Sequence, residues 1–203
     1  MLTPDYLLYW FDYKAGYTSV LTEFGWNNSR EQQIALCRGA ARANNKDWGA
    51  MITWTYDQYP YIKNETALYN DLLLAYNNRA KYSIIFSYPS IAGDYGILDQ
   101  KHLDAIKQFW DYQSSHAPSN ANYENVQTAY VMPANYGFGF RSAQDNIWWL
   151  WSADNQSQKI WSDVNALIKQ YGSNFDIVFD DPQFNQAILN RYDTLIYWNG
   201  TQR

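Results

Sequence analysis

The sequence of 203 residues carries a formal net charge of -5 and has no cluster of lysine and arginine, which argues against nucleic acid as a partner. With Cys37 as the one cysteine and His102 and His116 as the two histidines, neither a disulfide framework nor a metal site is expected. No apolar run is long enough to span a membrane, and no signal peptide is visible. These observations do not assign a localisation, and an extracellular location would suit a longer, full-length protein.

Aromatic side chains are the compositional outlier. They make up 19% of the chain, with 10 Trp and 19 Tyr. Their flat apolar faces suit sugar rings, but they also fill ordinary cores. Composition leaves both uses open.

Strand-like and helical runs alternate along the first part of the chain. Strands are predicted over residues 6–13, 19–24, 48–56 and 82–86, and helices over residues 30–43, 65–76 and 100–112, the last of them capped by Asp99. The last three strands begin about thirty residues apart, which is the length of one βα unit. Their near-continuous apolar character is typical of parallel strands covered on both faces. The pattern predicts an α/β fold.

The predicted helix over residues 30–43 carries several local signals. Ser29 and Gln32 have the spacing of a capping box. Cys37 is expected to be a buried small hydrophobic residue. Arg38 and Arg42, one turn apart, are expected to be surface charges.

Residues 114–125 are polar and without periodicity, which favours a linker. Beyond them the alternation resumes in a β-α-β-α-β order, the start of an open doubly wound sheet. We therefore predict a domain over residues 1–115, a linker over residues 116–125 and a partial Rossmann-like α/β domain over residues 126–203. The two domains are expected to meet largely through four indoles, namely Trp148, Trp149, Trp151 and Trp161.

Long phrases of the sequence resemble a known family. The first domain contains LYWFDYKAGYTSVLTEFGWNNS, CRGAARANNKDWGAMITWTYDQYPYI and AKYSIIFSYP. These resemble the second half of glycoside-hydrolase-like (β/α)8 barrels in archaeal proteins of unassigned specificity. The later phrases AYVMPANYGFGFR, IWWLWSADNQSQKIW and YGSNFDIVFDDP resemble the α/β domain that follows such barrels. That domain is similar in kind to the glutamine-amidotransferase-like domain of some β-galactosidases.

The resemblance implies that the first four strands correspond to strands five to eight of a TIM-like barrel. In an alternative register, Glu23 would end strand seven and Trp54 would end strand eight. If the strands correspond to barrel strands five to eight, the carboxylate that usually acts as acid/base, on barrel strand four, would lie upstream of Met1. A barrel half exposes two sheet edges. An N-terminal half, a second copy in a homodimer, or repacking would have to complete it.

Two carboxylates are candidate catalytic groups, and Glu23 is expected to be the nucleophile or the general base. Active sites of (β/α) barrels lie at the carboxyl ends of the strands. Glu23 is placed there, at the end of an apolar run and close to Trp26. The alternative is a strand-end glutamate paired with a lysine or arginine. Asp57 follows the next strand and is either the second carboxylate or a turn residue ahead of Pro60.

Aromatic and polar residues near the same strand ends are candidate sugar ligands. Trp26 and Trp54 are expected to face the ligand, and Trp10 and Tyr56 lie at or near strand ends. Asp12 either binds a hydroxyl or begins a turn. With the resemblance, the sequence thus predicts a glycoside-hydrolase-like protein, with no cofactor, that acts on or binds carbohydrate as the C-terminal portion of a larger enzyme. The alternative is a non-catalytic carbohydrate-binding or assembly protein with the same fold.

Overall fold

The computed structural model describes residues 1–25, 28–53, 63–86, 99–118, 126–147, 149–183 and 189–203. Strands and helices alternate through these ranges as far as the sixth strand. In chain order they are β1 Leu2–Asp5, α1 Tyr9–Lys14, β2 Ser19–Phe24, α2 Arg30–Ala43, β3 Asp47–Thr53, α3 Glu65–Asn77, β4 Tyr82–Phe86, α4 Gln100–Ser115, β5 Thr128–Met132, α5 Ser157–Tyr171, β6 Phe175–Phe179 and β7 Thr194–Tyr197. Within the same ranges no helix combines the length and apolar composition needed to cross a membrane.

The strands form two parallel sheets. The first sheet has the order β1-β2-β3-β4, so each strand pairs with the next one along the chain. The second sheet has the order β6-β5-β7, and all five residues of its central strand are buried. Parallel strands joined through helices confirm the predicted α/β fold class.

The predicted strand over residues 6–13 is wrong. The first strand ends at Asp5, and α1 covers most of the predicted range. Tyr9, Trp10 and Tyr13 are the buried residues of α1, and their spacing is that of one helical face. The apolar residues of this short run fit the spacing of a strand as well as that of a helix. Periodicity alone therefore does not distinguish a strand from a buried helix here. The Asp5 carboxylate accepts the backbone N–H of Leu8 at 3.0 Å, which helps the chain turn from β1 into α1.

Helix α2 lies between the two sheets. It contacts β2 and β3 on one side and β6 on the other. A Cβ at Gly39 would lie 2.3 Å from the backbone oxygen of Ile177, so the approach of α2 to β6 requires glycine at this position. Cys37 is buried as predicted, and Ser29 accepts the backbone N–H of Gln32 at 3.3 Å, which confirms the predicted N-cap.

The prediction that Arg38 is a surface charge is wrong. Its side chain is 0% exposed, and its Nε donates to Asp176 Oδ1 of β6 at 2.8 Å. Its Nη1 donates to Asn78 Oδ1 at 2.8 Å. Arg42 donates from Nη1 to Asp176 Oδ2, also at 2.8 Å. The buried carboxylate therefore joins α2 to the second sheet, and one hydrophobic core extends across both sheets.

Candidate functional site

Glu23 lies at the carboxyl edge of the first sheet. It is the penultimate residue of β2, pairs in register with Met51 of β3 and is half-buried. Burial raises the pKa of its carboxyl, and the negative charge of Asp5 raises it further. Glu23 therefore retains its proton to a higher pH than a solvated glutamate.

Asp5 ends the neighbouring strand at the same edge. It pairs in register with Thr22 of β2. Burial raises its pKa, while backbone hydrogen bonds from Leu8 and Tyr6 act in the opposite direction. The charge of Asp5 also raises the pKa values of Asp12 and Glu23, so Asp5 interacts with each of these two carboxyls.

Asp12 lies within α1, not near the end of a strand as predicted. Burial first, and then the charge of Asp5, raises its pKa to about 7. Its Oδ2 is buried and makes no hydrogen bond in the part of the chain that the structure describes. A carboxyl in this state is substantially protonated at neutral pH and can donate a hydrogen bond.

A cavity of about 180 Å³ lies beside this edge, between the two sheets. Its walls come from the turn after β1, the start of α2, the loop after β5 and the first half of α5. The lining residues are Tyr6, Leu7, Asn28, Ser29, Gln32, Gln33, Gly139, Phe140, Arg141, Trp161 and Asn165. Clefts between structural units, near the carboxyl ends of parallel strands, are common ligand sites.

Gln33 is the unusual side chain of this cavity. It is 0% exposed, and neither its Oε1 nor its Nε2 has a hydrogen-bond partner within the described ranges. Leaving a buried polar group unpaired costs about 1–3 kcal/mol. Such a group in a folded protein calls for an explanation, and one explanation is a ligand.

Tyr6 links the cavity electrostatically with the carboxyl of Glu23. It lines the cavity, and burial raises the pKa of its phenol. The charge of Arg141 acts against that rise, whereas the charges of Asp145 and Glu23 add to it. Glu23 is thus close enough to the cavity wall to act electrostatically on Tyr6.

The predicted sugar ligand Trp10 packs inside the protein. It is 4% exposed, and its ring lies 5.0 Å from that of Phe179 between centroids. Its indole N–H donates to Asp181 Oδ2 at 3.3 Å. In this conformation Trp10 joins α1 to the end of β6 and has no open face for a sugar.

The other predicted site residues lie outside the described residues. They are Trp26, Trp54, Tyr56 and Asp57. Their proximity to Glu23 stays a prediction. Trp148 is likewise outside the described ranges, while Trp149 is 90% exposed, so its predicted burial between the domains is wrong.

Sequence reasoning missed Asp5 and Gln33. Asp5 would have been found if the first strand had been placed correctly, because it is the last residue of that strand. Gln33 gives no sequence signal, since a glutamine in the first two turns of a helix is ordinarily solvated.

Comparisons of the chain with protein families, with curated proteins and with solved structures found no match. In the described ranges, no group of three or more His, Cys, Asp or Glu side chains is placed to hold a metal ion. The interpretation of this edge of the first sheet therefore depends on its carboxyls.

Proposed function

We propose that the chain belongs to a glycoside-hydrolase-like protein that binds or acts on carbohydrate at the carboxyl edge of the first sheet, with Glu23 as its acid/base group. The observation that carries the proposal is the raised pKa of a half-buried glutamate at the carboxyl end of a parallel strand. Enzymes raise carboxyl pKa values in this way to keep a proton for a leaving group.

The strand orders support a finer fold assignment. Four successive parallel strands joined by helices are what half of a (β/α)8 barrel contains, and the order β6-β5-β7 is that of the first strands of a doubly wound sheet. Alternate residues of β4, namely Tyr82, Ile84 and Phe86, are 40–42% exposed. The other strands of a barrel, from an N-terminal half or a second copy, would cover this apolar face.

The chemistry requires a second carboxylate. Retaining glycosidases place the two carboxyls about 5–5.5 Å apart, and inverting enzymes place them about 6.5–9.5 Å apart. Asp5 and Asp57 are the candidates within this chain. A carboxylate from the completing half of the barrel is the other source. A retained proton on Glu23 suits the general acid better than the nucleophile.

The non-catalytic alternative is favoured by the contacts of Asp5. Its carboxylate already accepts the N–H of Leu8 and so helps to form the turn before α1. If Asp5 only shapes this turn, the other described strands of this sheet supply no second carboxylate at their carboxyl ends. The chain would then bind carbohydrate without cleaving it.

Screening against aryl glycosides and oligosaccharides tests the proposal. If hydrolysis is found, Glu23→Gln is expected to lower turnover at least about a thousandfold, or about 4 kcal/mol. Asp111→Asn is the matched control, because Asp111 pairs with Lys107 on exposed surface at the far end of α4. It should leave turnover unchanged.

Three outcomes separate the alternatives. Hydrolysis abolished by Glu23→Gln supports the enzyme. Oligosaccharide binding without hydrolysis, at any pH between about 4 and 8, supports the non-catalytic protein. Neither binding nor hydrolysis across the panel overturns the proposed function.

A further inference from the structure

We propose that the cavity between α2 and α5 is a separate binding site for one neutral, hydroxyl-rich ring, such as a single sugar unit. This goes beyond the proposed function, because Glu23 is not among the residues that line the cavity. The start of α2 forms one wall of this site, and α5 forms the opposite wall.

Gln33 carries the argument. Its amide is fully buried, and both of its polar atoms are unpaired within the described ranges. An amide oxygen needs a donor and an amide nitrogen needs an acceptor. A hydroxyl group satisfies either one. A ligand with several hydroxyls therefore supplies what the protein leaves missing at this position.

The other lining groups favour a neutral ligand. Asn28, Gln32 and Asn165 add amides to the wall. Arg141 is the charged side chain of the described lining, and it is held by Asp145: its Nε donates at 2.9 Å and its Nη2 donates at 2.6 Å. Since that carboxylate neutralises the guanidinium, the cavity has little net charge to offer an ionic ligand.

An anion is the competing occupant. The cavity lies beside the N-terminus of α2, where backbone N–H groups attract negative charge. However, Ser29 already accepts the N–H of Gln32, and Glu31 places a carboxylate in the same first turn. These two features weaken the site for an anion, so we expect the neutral ligand.

The size of the cavity limits the ligand to one ring. Its volume of about 180 Å³ is below the roughly 300–1,000 Å³ of sites that hold drug-sized molecules. Trp161 contributes a half-buried indole to the wall. An indole face packs well against the apolar face of a sugar ring.

Titration followed by NMR tests the site, with glucose, galactose, mannose and N-acetylglucosamine as neutral probes and inorganic phosphate as the anionic probe. We expect saturable binding of at least one sugar, with shifts at Gln33 and Asn165. Gln33→Leu should weaken this binding at least tenfold. Gln158→Leu, an exposed position on α5, is the matched control and should not change it.

The proposal is overturned if none of the four sugars binds saturably, if Gln33→Leu binds as tightly as the wild type, or if phosphate displaces the sugar from the cavity. If Gln33→Leu fails to fold, Asn165→Ala on the opposite wall supplies the same comparison. The effect of Glu23→Gln on glycoside turnover reports on the proposed function separately, because Glu23 does not line the cavity.

Discussion

The raised pKa of Asp12 contributes to the way in which the stability of the fold depends on pH. In the unfolded chain this carboxyl has its ordinary value of 3.8, and in the folded protein its pKa is about 7. Between these values the folded state holds more protons than the unfolded state. The free energy of unfolding therefore falls as pH rises through this window. Asp5 and Glu23, whose pKa values are also raised, act in the same direction.

We predict a higher melting temperature at about pH 5 than at about pH 7.5. Asp12→Asn should flatten this dependence, because an amide takes up no proton over the window. Asp111→Asn, at an exposed position, should preserve it. Thermal unfolding followed by circular dichroism measures all three proteins. A melting temperature that rises with pH in the wild type would contradict the assigned pKa directions.

Single residues differ in how far the sequence predicts them. Glu23 could be placed at a strand end because an apolar run of β-type residues stops there. Asp12 could not, because an aromatic run fits a strand and a helix equally well. Gln33 was beyond prediction, since other residues that line its cavity, including Trp161 and Asn165 of α5, are distant in the sequence.

At the level of elements, α2 is the helix whose packing the sequence describes least well. Its cap and its buried cysteine follow from local signals. The burial of Arg38 does not, because only the approach of β6 brings Asp176 to the guanidinium. The small residues Ala35, Gly39 and Ala40 allow α2 to pack closely against β6. The same residues would also suit a helix that is covered on one side only, so they do not predict this packing.

We predict that Arg38→Leu lowers the free energy of unfolding by about 3–5 kcal/mol, because it leaves a buried carboxylate without its main partner. Denaturant unfolding measures the change. Lys107→Met is the control: its ion pair with Asp111 is exposed, so the change should stay within about 0.5 kcal/mol. A loss below about 1 kcal/mol for Arg38→Leu would show that Arg42 and Tyr192 suffice to stabilise Asp176.

At the level of the whole molecule, both polar and apolar contacts join the part of the chain that contains the first sheet to the part that contains the second. Lys14 of α1 donates to Asp181 after β6 at 2.5 Å, and Trp10 donates to the same carboxylate. The sequence predicted two units and a contact between them, but it assigned that contact to the Trp cluster. Trp151 stacks on Phe11 of α1, with 5.6 Å between ring centroids, as predicted, whereas Trp149 is exposed. Helix α2 and its ion pairs form much of the remaining contact.

We predict that cleavage within residues 116–125 leaves two fragments that remain associated. If the fragments separated, the first would expose the buried face of α2 to water and the second would expose the buried face of β6. Limited proteolysis followed by size-exclusion chromatography measures this. Fragments that elute separately and stay soluble would show that the two halves are independent domains.

The central claim is that carbohydrate binds at the carboxyl edge of the first sheet, beside Glu23. An NMR titration with oligosaccharides tests it most directly. The account predicts that the largest chemical-shift changes fall on residue 5 and residues 22–25, with Glu23→Gln reducing the pH dependence of binding. Changes confined to the opposite edge, at residues 17–19 and 45–48, would contradict it.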